Sequence, residues 1–262
     1  MSAISTMGWT LEQDLAFWDK AGIDRVGVSL AKLDAAGFDD GVRRIRDAGV
    51  RVANVIGPGP FRLAEPDRWG EQRERFARGI DAAAALDAGC LVCTTGPAGD
   101  LEWEQAARAF AEAIGPLLER ARAAGVAIAV EHTNSLRPDI GFLHTLRDAV
   151  DVARELDVGV CVETNACWGE RWLAATIADG IDRVRIVQVS DFVVGTLCTP
   201  DRAVPGDGDI PFPRILGAIV DAGYEGVFDL ELIGPRIEQE GYESAVPRAV
   251  ATLTDLLADL DV

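Results

Sequence analysis

Three glutamates stand at the ends of short apolar runs: Glu131 closes VAIAVE, Glu163 closes VGVCVE and Glu231 closes VFDLE. A fourth run, VRIVQV, carries Gln188 near its end and Asp191 just beyond it. Runs of this length, rich in β-branched residues, read as strands. Strand residues alternate between two faces. Glu131 therefore shares a face with Ala127 and Ala129, Glu163 with Gly159 and Cys161, and Glu231 with Val227 and Asp229. If those faces turn inward, the three glutamates converge. Carboxylates held a few ångströms apart repel, and must take up protons or share a cation. A divalent metal ion that prefers oxygen removes the conflict. The competing explanation is that some of the glutamates pair with Arg or Lys at the rim. Asp229, one layer deeper, needs a buried partner of its own.

The elements that would carry these residues alternate along the chain. Strands are expected at Ala3–Ser5, Arg25–Ser29, Val50–Ile56, Cys90–Thr94, Val126–Glu131, Val158–Glu163, Val184–Val189 and Val227–Glu231. Helices are expected at Leu11–Ala21, Gly41–Ala48, Trp69–Leu86, Glu102–Ala124, Ile140–Leu156, Gly169–Gly180, Pro213–Ala222 and Ser244–Asp259. Glycines follow several helices (Gly22, Gly49, Gly89, Gly125, Gly223), where a left-handed cap needs them. Eight strands alternating with eight helices predict an α/β fold, a parallel (β/α)8 TIM barrel, in one domain over residues 1–262. A doubly wound open sheet would use fewer strands. In such barrels chemistry sits at the carboxyl ends of the strands. The connection from Ser190 through Arg202 to the turn PGDGD is long for an α/β loop, which marks it as functional.

Composition removes several classes of function. A net charge of −18 argues against nucleic acid and anionic membranes as partners. Hydrophobic residues make up 48% of the chain, enough for a large core. No run reaches the roughly 20 apolar residues of a membrane span. The N-terminus lacks the basic and apolar regions of a signal peptide. The five cysteines follow no framework spacing, so a reducing, cytoplasmic setting is expected. Cys90 and Cys93 sit three apart on one strand and point to opposite faces, which argues against a redox or zinc pair.

Other side chains near the strand ends are candidates for substrate contact. His132 follows Glu131 and stands near the mouth, whereas His144, the other histidine, falls in a helical pattern and reads as structural. Asn165 and Trp168 follow Glu163, one as a hydroxyl partner and one as an aromatic wall. Trp172 reads as helix packing. The glycine-bearing loops Ile56–Leu63 and Thr94–Asp100 read as mouth loops without a phosphate-binding motif. The segment Ile233–Ser244 has two open roles, a cover over the site or a contact in a homo-oligomer.

These motifs, in this order, resemble the xylose isomerase-like barrels, the sugar phosphate isomerase/epimerase superfamily. The resemblance covers most of the chain and is strongest from Val126 to Glu231. It implies a metal site formed by Glu131 in AVEHTN, Glu163 in VCVETNACW, Gln188 in QVSD and Glu231 in DLELIGP. The segment RAVPGDGDIPF resembles the family's Arg-then-PGxG loop and brings Arg202 to the substrate; Asp191, closing QVSD, joins it there. Two departures stand out. Gln188 replaces the usual histidine, and Ala166 stands near where another is common. The donors are then all oxygen, so one Mn2+ or Mg2+ is expected in preference to Zn2+. A neutral amide is also a poor ligand, which leaves open a weakened or lost metal site. The implied mechanism is proton transfer beside a carbonyl, with Glu131 and Glu231 as the catalytic pair and the metal stabilising an enediolate. The expected function is an isomerase or epimerase of a small sugar, polyol or hydroxy-ketone. A lyase or dehydratase, including one that cleaves a glycoside or ring compound, would start from the same intermediate, and six tryptophans favour a bulkier substrate. The alternative of another class is a barrel that binds a metabolite without turnover, motivated by the missing histidines.

Overall fold

The computed structural model describes residues 1–262. Seven parallel strands form one sheet in chain order: β1 (Arg25–Ser29), β2 (Arg51–Ile56), β3 (Cys90–Thr94), β4 (Ile128–Glu131), β5 (Gly159–Glu163), β6 (Val184–Val189) and β7 (Val227–Leu230). Helices cross between successive strands, as the alternation predicts. The expected first strand is the exception. Ala3–Ser5 is not a strand, because Ser5 N turns back to donate to Ser2 O. Residues 1–3 bridge the two edges of the sheet instead. Ser2 N donates to Leu230 O at 2.9 Å, and Gly27 N donates to Met1 O at 2.9 Å. The barrel is thus closed by a bridge rather than by an eighth ladder.

The strand parity expected from the sequence holds. The barrel interior is filled by Ile56, Cys90, Val92, Ala129, Cys161 and Ile186. Ile128, Val130, Val160 and Val162 face outward into the larger core shared with the helices. Cys90 and Cys93 fall in different clusters, so they do lie on opposite faces. Four cysteines are buried, and Cys198 alone is exposed, on the long loop after β6. Asp229 finds its buried partners in Asn54 Nδ2, at 3.0 Å, and the Met1 amino group, at 3.2 Å. Lys32 is buried with Asp14 and donates to Thr6 O at 2.8 Å, anchoring the segment that carries Met7 to the mouth. No helix is long and apolar enough to cross a membrane.

Two helices start later than their patterns suggest; the one expected from Gly169 begins at Leu173, after Trp172 in the left-handed region. The run from Ile140 reads as helical, but the helix is Leu146–Leu156. The backbone before it is used elsewhere: Gly96 N donates to Ile140 O and Thr133 N to Leu143 O. Thr145 caps the helix by accepting from Asp148 N, and Glu170 accepts from Leu146 N at 2.7 Å. Burial pushes the Glu170 carboxyl from 4.5 up to about 7, against the lowering effect of the Leu146 bond. The folded state therefore binds more protons than the unfolded chain between these values. Its contribution to stability is full below the unfolded pKa and is lost as pH rises through the folded one. Glu170→Gln keeps an acceptor for Leu146 and removes the charge. The variant is expected to lose less stability than wild type between about pH 5 and 8, read as thermal midpoints at each pH. Parallel curves would count against this assignment.

Candidate active site

The carboxyl ends of β4, β5 and β7 deliver the three glutamates. Glu131 and Glu163 are the last residues of their strands. Glu231 follows β7 and continues its ladder, donating from its N to Val189 O at 3.1 Å. Glu163 is in register with Gln188 of β6. All three carboxylates are buried, yet all three line one cavity of about 350 Å3 at the barrel mouth. Arg202, Thr94, Thr133, Asn134 and Arg137 give it further polar groups, and Ile4, Met7, Ile56, Ile140 and Ile233 an apolar side. A larger groove, of about 510 Å3, runs beside the start of β1 and the last helix; its walls are mainly apolar and carry no converging carboxylates.

Arg202 reaches this cavity because its loop is folded around Asp191. Asp191 and Ala203 exchange backbone hydrogen bonds at 2.9 Å, and Arg202 N donates to Ile233 O at 2.9 Å. The Asp191 carboxylate accepts from four backbone N–H groups: Phe192 (2.8 Å), Gly206 (2.8 Å), Gly208 (3.0 Å) and Ile210 (3.1 Å). Position 208 must be glycine, since a Cβ there would meet Asp191 Oδ1 at 2.5 Å and Phe192 O at 2.6 Å. The guanidinium then lies among the carboxylates. Its Nη1 is 3.1 Å from Glu163 Oε1 and donates to Ser190 Oγ at 3.1 Å, and its Nη2 is 3.7 Å from Glu231 Oε1. Arg202 Nε and Glu163 Oε2 are both buried without a partner.

Electrostatics follow from this crowding. Burial pushes all three carboxyls up. Glu131 is raised to about 8, with the Glu163 charge adding to burial and Arg202 opposing. Glu231 is raised well above the carboxylate range by burial, then by Glu163 and Glu131. Glu163 is raised by burial, with Arg202 and the Asn165 N–H working against it. Burial disfavours the Arg202 charge, but the three glutamates outweigh it and hold the guanidinium protonated.

The expected substrate contacts separate into two groups. Arg202 lines the cavity; His132, Asn165, Trp168 and Asp191 do not. His132, Asn165 and Asp191 make hydrogen bonds that build the site, although His132 Nδ1 is buried without a partner. His132 is fully buried, and its Nε2 accepts from Glu163 N at 3.1 Å. Burial, with His144 nearby, depresses its pKa to about 3, so the ring is neutral. Asn165 donates from its N to Glu163 Oε1 at 2.9 Å and from Nδ2 to Asp191 O at 3.2 Å. Trp168 packs against Phe192, with centroids 6.3 Å apart. Trp172, expected in helix packing, is 68% exposed. No tryptophan lines the cavity, which removes the argument for a bulky aromatic-stacked substrate. Ile233 lines the cavity, so the segment after β7 does border the site. Arg137 and Asn134 were not anticipated. Their only signal is their place in the loop EHTNSLRPD, directly after Glu131.

The ligand set Glu131, Glu163, Gln188 and Glu231, with Mn2+ or Mg2+, requires oxygen lone pairs converging on one point. The side chains are arranged differently. Arg202 takes one oxygen of Glu163 and lies against one of Glu231. Gln188 Nε2 donates to the other Glu231 oxygen at 2.5 Å, while its Oε1 accepts from Cys161 Sγ at 3.1 Å. No group of three or more His, Cys, Asp or Glu side chains converges as a metal site. These residues, as placed, do not fit a divalent cation, because a guanidinium and an amide NH2 already engage the carboxylates.

Comparison with known proteins bears on the fold and the class of chemistry. A family profile described as xylose isomerase-like TIM barrel matches residues 7–254. Inosose isomerase from Halalkalibacterium halodurans is 24% identical over 158 residues, 58% of this chain and 55% of that protein. The chain thus spans about half the length of the curated relative it matches. Protein SMc04130 from Sinorhizobium meliloti 1021 superposes with a TM-score of 0.86 at 25% identity, covering 99% of this chain and 98% of that one. An IolI protein solved with a bound zinc atom gives a TM-score of 0.82 at 18% identity over 99% of this chain and 98% of its own, a likeness of fold alone.

Proposed function

Because the chain belongs to the xylose isomerase-like TIM-barrel family, we propose that it is an isomerase or epimerase of a small polyhydroxy ketone. The observation that carries this reading is the set of three buried strand-end glutamates gathered around Arg202 in one mouth cavity. At about 350 Å3 that cavity is at the small end of ligand pockets, which suits a sugar or cyclitol. The inosose isomerase relative points the same way, towards a cyclic polyol ketone.

The chemistry needs two proton carriers on opposite sides of one carbon. Glu131 and Glu231 rise from β4 and β7, with β5 and β6 between them, and both line the mouth cavity. One carboxylate takes the proton from the carbon beside the carbonyl. The C–H electron pair moves into the carbonyl and leaves an enediolate. The other carboxyl group returns a proton, to the opposite face of the same carbon for epimerisation, or to the neighbouring carbon for isomerisation. Glu163, held by Asn165 N and Arg202, is the fixed member of the trio.

The test is proton exchange rather than product formation. The protein would be incubated in D2O with D-fructose, D-tagatose, D-psicose and inososes, and followed by NMR. One deuterium entering beside the carbonyl of a ketose or an inosose is the expected result. No incorporation into any member of this panel would overturn the reading.

A further inference from the structure

We propose that Arg202 is the resident cation of this active site: it stands where a divalent metal would otherwise bridge the carboxylates, and it stabilises the enediolate without one. The inference rests on the isomerase reading for its chemistry, but on side-chain geometry for the cation itself.

Three observations converge. First, Arg202 is built in. Its side chain is 11% exposed, and its loop is fixed by four N–H bonds to Asp191 and by a glycine that no other residue can replace. It touches Glu163 and Glu231, two of the carboxylates a bridging metal would need. Second, Gln188 is turned away from a ligand's role. Its oxygen is engaged by the Cys161 thiol, and its NH2 is aimed at Glu231. As placed, this amide acts as a donor to Glu231 and offers no free oxygen lone pair towards the carboxylates. Third, two buried atoms are left without partners, the donor Arg202 Nε and the acceptor Glu163 Oε2. The cluster around the guanidinium thus keeps unused hydrogen-bonding capacity beside the cavity.

The step balances without a metal. A proton passes from carbon to a glutamate carboxylate, and the electron pair settles on the carbonyl oxygen. The resulting oxyanion lies beside the Arg202 guanidinium, which lines the cavity, where a fixed, desolvated cation is most effective. Nothing is oxidised or reduced, and the opposite carboxyl group returns the proton.

The experiment reads metal binding directly, with no substrate. Chelator-treated wild type and the double variant Gln188→His/Arg202→Ala would each be loaded with Mn2+ or Zn2+. Metal per chain would be measured by elemental analysis after gel filtration, with circular dichroism as the check on folding. Wild type is expected to retain essentially none. The double variant, with an imidazole gained and the guanidinium gone, is expected to hold about one ion per chain. Stoichiometric metal in wild type would overturn the inference while leaving the isomerase reading intact. A folded double variant that binds none would also overturn it, because Arg202 would then not be occupying a cation's place. Failure of the isomerase reading would appear separately, as absent deuterium exchange.

Discussion

Glu231→Gln is expected to slow solvent exchange at the substrate carbon by about a thousandfold, in the range of general acid–base contributions. The same change is expected to raise the thermal midpoint above pH 8, where the site is driven to ionise. Glu231 is buried beside Glu163 and Glu131, and both charges work against its own. The amide keeps an acceptor for Gln188 Nε2 and removes one of three repelling groups. A gain of about 1 kcal/mol would move the midpoint of a domain this size by about 2–4 °C. The two readouts separate the roles. Exchange within tenfold of wild type would remove Glu231 from the mechanism. A variant that lost both exchange and stability would mean that the carboxylate holds the fold rather than the reaction.

The second large effect is expected far from the reacting carbon. Asp191→Ala removes the single acceptor shared by the N–H groups of Phe192, Gly206, Gly208 and Ile210. Hydrogen bonds to a charged group contribute about 1.5–3 kcal/mol each, and bonds to one shared acceptor do not add in full. A loss of about 3–5 kcal/mol in urea unfolding is therefore expected, in the range reserved for broken buried networks. Activity should fall by about a hundredfold as well, since this loop helps position Arg202. Asp191→Asn keeps an acceptor oxygen and should fall between the two. A loss below about 1 kcal/mol in the alanine variant would show that water replaces the carboxylate, and the loop would then not depend on Asp191.

The strand ends were legible in the sequence because burial imposes a period of two. Small residues alternating with bulky ones in VAIAVE and VGVCVE placed Glu131 and Glu163 inside, and the interior packing of Ala129 and Cys161 agrees. Less could be read where a residue's partner comes from a distant segment. Nothing local marks Asp191 as the acceptor for a loop closing 15 to 19 residues later. Nor does it reveal that His132 supports the backbone of Glu163 from a neighbouring strand. The run at Ile140–Leu143 has an apolar pattern that suits a helix, but its backbone hydrogen bonds go to Gly96 and Thr133. Gln188 illustrates the same limit most sharply. Its type was visible, but the direction of its amide depends on the Cys161 thiol on one side and Glu231 on the other.

The contrast between one exposed cysteine and four buried ones has a practical use. A thiol-reactive dye should label the native protein at Cys198 alone, two residues before Pro200 on the cavity wall. Burial pushes the thiols of Cys93, Cys161 and Cys167 far above their ordinary range, and that of Cys90 to about 12, so none presents a thiolate to the reagent. The unmodified chain thus offers a single spectroscopic reporter on the active-site loop without engineering. The same reagent also counts unfolding: a molecule that takes up more than one label has opened its barrel.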